Sequence, residues 1–149
     1  MPRDPARRYE TIEWLMFQMA GIGPIFGQVG FFNKFAGKAW EDKRPLERYV
    51  AESKRLLEVL QRQLAGRAWI MGDEYTIADI AAFPWLRNIE LLAIDLGKRP
   101  HLKAWVEKIA ARDAVKRAYA KIATIKSVRD SASDDAKDRF FGRGKYAQA

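Results

Sequence analysis

Side chains that hold metals, move protons or attack electrophiles are scarce in this chain of 149 residues. His101 is the only histidine and there is no cysteine, so a thiolate nucleophile, a disulfide and a cysteine-ligated metal site are excluded together. A Ser-His-Asp arrangement would have to use His101, which follows Pro100 at a predicted helix start with no nucleophile motif beside it, so a structural or surface histidine is expected. The paired carboxylates Glu41/Asp42 and Asp134/Asp135 lie in charged segments and are expected to be solvated rather than tuned for acid–base work. No phosphate loop, dinucleotide fingerprint or metal-ligand spacing occurs, and no metal is expected. One stretch stands out: Trp14-Leu15-Met16-Phe17-Gln18-Met19-Ala20-Gly21-Ile22-Gly23-Pro24-Ile25-Phe26-Gly27-Gln28, followed by Phe31, Phe32, Asn33 and Phe35. Glycines at 21, 23 and 27 permit close backbone approach, Pro24 re-aims the second half of a helix, and Gln18 and Gln28 flank the bend, which is a way to shape a cleft. Phe31, Phe32 and Phe35, with Gln28, are the candidate wall for an apolar substrate, and the three aromatics are equally candidates for core.

The elements that must position these residues are all helices. Every long periodic segment has the helical period and none alternates as a strand does, so the fold class is all-α. A first helix starts near Asp4, tolerates Pro5 in its first turn, carries Ile12, Leu15, Met16 and Met19 on one stripe, kinks at Pro24 and continues to about Phe35. A second runs from Leu46 to Leu64 with Tyr49, Leu56, Leu57, Leu60 and Leu64 inward, ended by Gly66. A third spans Ile77 to about Ile94, is apolar nearly all round over Ile77–Leu86 and bends at Pro84, as a buried central helix would. Pro100 opens a fourth through Leu102, Trp105, Val106 and Ile109, and a short fifth covers Asp113 to Ile122.

The start of the central helix is the best-marked point in the chain. Thr76 is an N-cap whose hydroxyl accepts from the Asp79 N–H while the Asp79 carboxylate accepts from the Thr76 N–H, and Tyr75 and Ile80 stand where a hydrophobic staple would. The run Gly72-Asp73-Glu74-Tyr75-Thr76-Ile77-Ala78-Asp79-Ile80-Ala81-Ala82-Phe83-Pro84-Trp85 resembles the box that opens the core helix in the C-terminal helical domain of glutathione transferases. There the box serves folding, so Thr76 and Asp79 are read as structural. The Gly-Pro segment in turn resembles the first helix of that domain in the bacterial Nu-class enzymes, and is similar to the fungal nitrogen-regulatory prion protein of the same fold. A segment like Glu47-Arg48-Tyr49-Val50-Ala51-Glu52-Ser53-Lys54-Arg55-Leu56-Leu57 forms the next helix in those relatives, and the resemblance implies that Arg55 contacts glutathione. A guanidinium fork suits a glutathione carboxylate, and a plain exposed helix charge is the alternative reading of Arg55.

The resemblance covers about Asp4 to Ile122 and divides the chain into a helical domain, 1–125, and a basic polar tail, 126–149. It also implies a preceding thioredoxin-like domain that supplies most of the glutathione site, so these residues alone are expected to be inactive. The implied enzyme takes glutathione or glutathione disulfide as co-substrate with a small hydrophobic electrophile or disulfide, works as a homodimer when full length, and transfers glutathione or reduces disulfides. The alternative is a non-catalytic interaction module of the same fold. The net charge of +8 comes from the C-terminal third, since residues 98–149 hold fourteen basic and six acidic side chains. No base-reading motif accompanies them, so a solvated segment is expected rather than a nucleic-acid site. No signal-peptide core or uninterrupted run of ~18 apolar residues is found, pointing to a cytoplasmic protein without a membrane role.

Overall fold

The computed structural model describes residues 1–36, 41–87, 89, 94–127 and 131–147. Its helices are α1 (Pro5–Phe17), α2 (Gly23–Gly30), α3 (Arg44–Gln63), α4 (Ile77–Leu86), α5 (Pro100–Ala110), α6 (Asp113–Ala123) and α7 (Asp134–Phe141). Among the described residues β structure is confined to one bridge between Trp69 and Gly72, so the class is all-α as expected.

The first helix starts where its sequence says it must. The Asp4 carboxylate caps the Arg7 N–H at 2.9 Å, and Pro5 stands in the first turn, where a missing N–H costs nothing. Pro24 does not break the run that follows. A π turn, Gln18–Ile22, absorbs it: the Gly23 N–H donates to the Gln18 carbonyl, five residues back, and Pro24 then lies in the first turn of α2. A second π turn, Phe31–Phe35, ends the run with the Ala36 N–H on the Phe31 carbonyl at 2.8 Å. The whole segment Pro5–Phe35 is long and apolar enough to cross a bilayer by length and composition. One side of it carries Ile22, Phe26 and Val29 into the core, whereas Met16 and Met19 on another side are uncovered.

α3 presents Leu56, Leu57 and Leu60, with Leu64 just beyond, to that core, as the spacing predicts, and Gly66 at φ +68° turns the chain away. Ser53 lies on the same face, fully buried, and its hydroxyl has no hydrogen-bond partner among the described residues. Ser53→Ala removes a desolvated donor and substitutes a better helix former, so it should raise stability by about 0.5–1 kcal/mol in urea unfolding. A loss of stability would show that the hydroxyl is satisfied.

α4 runs through the centre, with Ala78, Ala82, Phe83 and Leu86 buried against Leu102, Trp105 and Ile109 of α5 in one cluster. Its expected extension towards Ile94 falls largely on residues 88 and 90–93, outside the described ones. Residues 131–147, within the segment expected as a basic polar tail, include a capped helix: Ser133 accepts from the Ala136 N–H at 3.2 Å and Gly142 closes α7 in the left-handed region. No residue of α7 is buried, so this segment brings little core of its own.

Candidate functional site

The capping box forms and does more than cap. The Asp79 side chain is fully buried, and its Oδ2 accepts from the Thr76 N–H at 2.9 Å. Its Oδ1 accepts two further bonds at 2.9 Å, from the Ile70 N–H and from the Trp105 indole N–H. The Thr76 hydroxyl accepts from the Ala78 N–H at 3.3 Å, and the bond to the Asp79 N–H completes the box. One carboxylate therefore ties together the turn before α4, the first turn of α4 and the middle of α5, with a donor for each direction in which its charge needs solvation. The local half of this was legible as spacing; the donors from Ile70 and Trp105 were not. Tyr75 packs edge-on against Trp69 (centroids 4.8 Å apart), and Ile80 is 54% exposed. Burial pushes the Tyr75 hydroxyl pKa up, opposed by the Arg112 guanidinium, which lies 4.0 Å over the ring.

At the bend, a Cβ on Gly23 would come 3.3 Å from the Gln18 amide nitrogen and 3.3 Å from the Trp85 ring, and one on Gly21 would come 3.3 Å from Leu56. Both glycines thus allow a close approach, as expected. Gly27 does not fit that reading, since a Cβ there would meet open space. Beyond the bend, Gln28 is exposed and Phe31, Phe32 and Phe35 are half-buried. The three phenylalanines are not bare. Phe31 and Phe32 meet edge-on at 5.2 Å, and Tyr49 of α3 stacks on Phe32 at 5.9 Å and 16°. Phe141 of α7 stacks on Phe35 at 4.7 Å and 14°.

Arg55 is exposed on α3, and its fork is already engaged: Nε donates to one Glu52 oxygen at 2.8 Å and Nη2 to the other at 2.7 Å. Hydrogen bonding from Arg55 holds the Glu52 carboxyl below its ordinary range, against the opposing effect of burial. A lowered pKa in the fold means that the pair contributes above the unfolded carboxylate pKa and is lost only as pH falls through the folded value. Arg55 follows Tyr49 by six residues, about 9 Å along the axis and roughly 120° around it, so it does not share a face of α3 with the tyrosine that meets the aromatic wall.

The remaining candidates are structural or exposed. His101 is exposed at the start of α5. Asp42 is gripped by Arg44, whose side-chain hydrogen bonds hold its carboxyl below the ordinary range, and Asp135 binds Lys145 at 2.6 Å and the Tyr146 hydroxyl at 3.0 Å. Among the described residues no group of three or more His, Asp or Glu could hold a metal. Between α4 and α6 runs an apolar groove of about 490 Å³, floored by Ile80, Phe83 and Val115 and rimmed by Arg87 and Arg112.

A bundle of this order, wound round a buried central helix whose first turn is tied by a capping box, is the C-terminal helical domain of a glutathione transferase. The family description "Glutathione S-transferase, C-terminal domain" matches residues 24–113. The chain belongs to the glutathione S-transferase family. It is 38% identical over 124 residues to the disulfide-bond oxidoreductase YghU of Escherichia coli, covering 78% of this chain and 42% of that protein. It is 36% identical over 121 residues to the disulfide-bond oxidoreductase YfcG of the same organism, covering 81% and 55%. Among solved structures, a glutathione transferase family member from Pseudomonas fluorescens with two glutathione bound is 60% identical at TM-score 0.73, covering 78% of this chain and 54% of that one. A Pseudomonas putida glutathione transferase with one glutathione disulfide bound per subunit is 52% identical at TM-score 0.71, covering 78% and 53%. The chain thus spans about half the length of the relatives it matches.

Proposed function

We propose that this chain is the C-terminal half of a glutathione-dependent transferase or disulfide reductase, supplying part of the glutathione site through Arg55 and an apolar substrate wall through Gln28, Phe31, Phe32 and Phe35. The observation that carries the reading is the likeness to enzymes holding glutathione or its disulfide, in which this chain corresponds to about half of the fold. Two uncovered apolar surfaces support it. Met16 and Met19 on the first helical run, and Ile80 and Trp85 on α4, are each between 39% and 55% exposed. A thioredoxin-like half seated along the α4–α6 groove would cover Ile80, and acidic side chains on its rim would meet Arg87 and Arg112. With both halves present, glutathione or its disulfide is the co-substrate, a small hydrophobic electrophile or disulfide is the second, and two such subunits associate in the cytoplasm.

The role of Arg55 is chemical and testable. Its guanidinium already makes a two-point grip on a carboxylate, that of Glu52, which is the geometry a glutathione carboxylate would take over. Calorimetry with glutathione disulfide on this chain, and on the chain fused to a related thioredoxin-like domain, should show binding only in the fusion. Arg55→Ala in the fusion should weaken it about tenfold, the loss typical of one charge-assisted bidentate contact. No gain on fusion would leave the helical interaction module as the better reading, and no loss in Arg55→Ala would remove the arginine from the site.

A further inference from the structure

The segment 131–147 lies beyond the residues that carry the family likeness, yet among the described residues it is pinned to the second π turn, Phe31–Phe35. Two glycines make this possible. Gly142 and Gly144 both adopt left-handed backbone, φ +59° and +55°, and a Cβ on Gly144 would crowd the Asp138 carboxylate at 3.2 Å. Between them Arg143 is folded back beneath α7. Its Nη2 binds the Asp138 carboxylate at 2.7 Å, while Nη1 donates to the Phe35 carbonyl at 2.6 Å. That carbonyl ends a helix, where backbone acceptors have no partner within the helix and the dipole favours a cation. The same turn lays Phe141 flat on Phe35, at 4.7 Å and 14°, and tilted against Phe31 at 6.4 Å. Asp135 holds the far side of the turn through Lys145 and Tyr146. Phe140, next to this stacked ring, is 78% exposed.

Near-parallel stacking on Phe35 is the pose that a flat aromatic group of an incoming molecule would take on the same wall. We propose that residues 133–147 are a self-supplied occupant of that wall: Phe141 holds the place of a flat apolar ring, Arg143 latches it, and a ligand carrying such a ring binds by displacing the tail. The inference rests on the reading of Phe31 and Phe35 as a substrate wall. It adds the ligand class, planar and uncharged at the stacked end, and a closed state in which the chain's own ring competes with it. Such competition lowers apparent affinity by the ratio of closed to open molecules, so loosening the latch tightens binding.

Titration of the chain with N-phenyl-1-naphthylamine, a neutral fluorescent ring system with no charge for the surface arginines to attract, tests this. Phe141→Ala and Arg143→Met should each bind the dye about tenfold more tightly than the parent chain. Adding Phe35→Ala to either should abolish the gain, and the amides of 31–36 should exchange faster in the latch variants. Arg143→Lys, which keeps the charge but has a single nitrogen for two acceptors, gives an intermediate gain and remains a readout should the methionine variant fold poorly. Unchanged or weaker binding in the latch variants would overturn the proposal by making Phe141 a permanent part of the wall. A gain that survives Phe35→Ala would overturn it by placing the dye elsewhere. No glutathione enters the measurement, so its outcome is independent of whether the fused protein binds glutathione disulfide.

Discussion

Asp79→Ala should be the most damaging substitution at a polar position in this chain, lowering stability by about 4 kcal/mol in urea unfolding and the melting temperature by roughly 10 °C for a domain of this size. The size follows from what is left behind. Without the carboxylate, the N–H groups of Ile70 and Thr76 and the indole N–H of Trp105 lose acceptors at 2.9 Å, in a place that water does not reach. Each stranded buried donor costs about 1–3 kcal/mol, offset in part because a buried charge is no longer held out of water. Asp79→Asn keeps one oxygen but turns an amide donor towards donors, so it should recover less than half of the loss. Trp105→Phe strands no donor and preserves a ring near Phe83, so about 1–2 kcal/mol is expected, mostly from the carboxylate's lost partner. The order Ala, Asn, then the tryptophan variant is the result to check; an alanine variant within about 1 kcal/mol of the parent would show that the carboxylate is hydrated and the hub does not exist.

How much of this was legible depended on sequence distance. The box itself is written in four consecutive positions, Thr76 to Asp79, because capping is local chemistry, and spacing alone identifies it. The donors that make Asp79 a hub lie 9 and 26 residues away in sequence, at Ile70 and Trp105, where nothing local marks them. The bend at Pro24 is a similar case. Proline's missing N–H is legible and predicts an interruption. The π turn inserted there is not marked locally, and neither is the close approach of Trp85 of α4 to Gly23, which is a tertiary fact. The Arg55–Glu52 pair lies three residues apart on one helix and follows from helical geometry. The latch is the opposite extreme: Arg143 and Phe35 are 108 residues apart, and only the paired glycines around Arg143 hint that this arginine is held in a special turn. Fold class and core were therefore readable from period and caps, whereas the surroundings of the candidate wall depended on long-range packing.

Leu57→Ala should be the other large effect, about 2–5 kcal/mol, and it tests the core from its opposite side. Leu57 is fully buried in α3 and belongs to the same cluster as Ile22, Phe26 and Val29 of the first helical run and Ala82, Phe83 and Leu86 of α4. Deleting its branch removes apolar surface from the core and leaves a cavity that three helices would have to move to fill. Gly21 and Gly23 already bring the first run close against Leu56 of α3 and Trp85 of α4, so it has little room to move towards either helix. The cost should therefore fall in the upper part of the range, with little cavity collapse. Exposed Ile125, at 65% exposure beyond α6, is the matching control: Ile125→Ala should change stability by less than about 0.5 kcal/mol. If Leu57→Ala cost no more than that control, the first run would not be clamped between α3 and α4, and the bend at Pro24 would be free to relax. A large cost at Leu57 beside none at Ile125 means that the first run is held between α3 and α4 by the core beneath it.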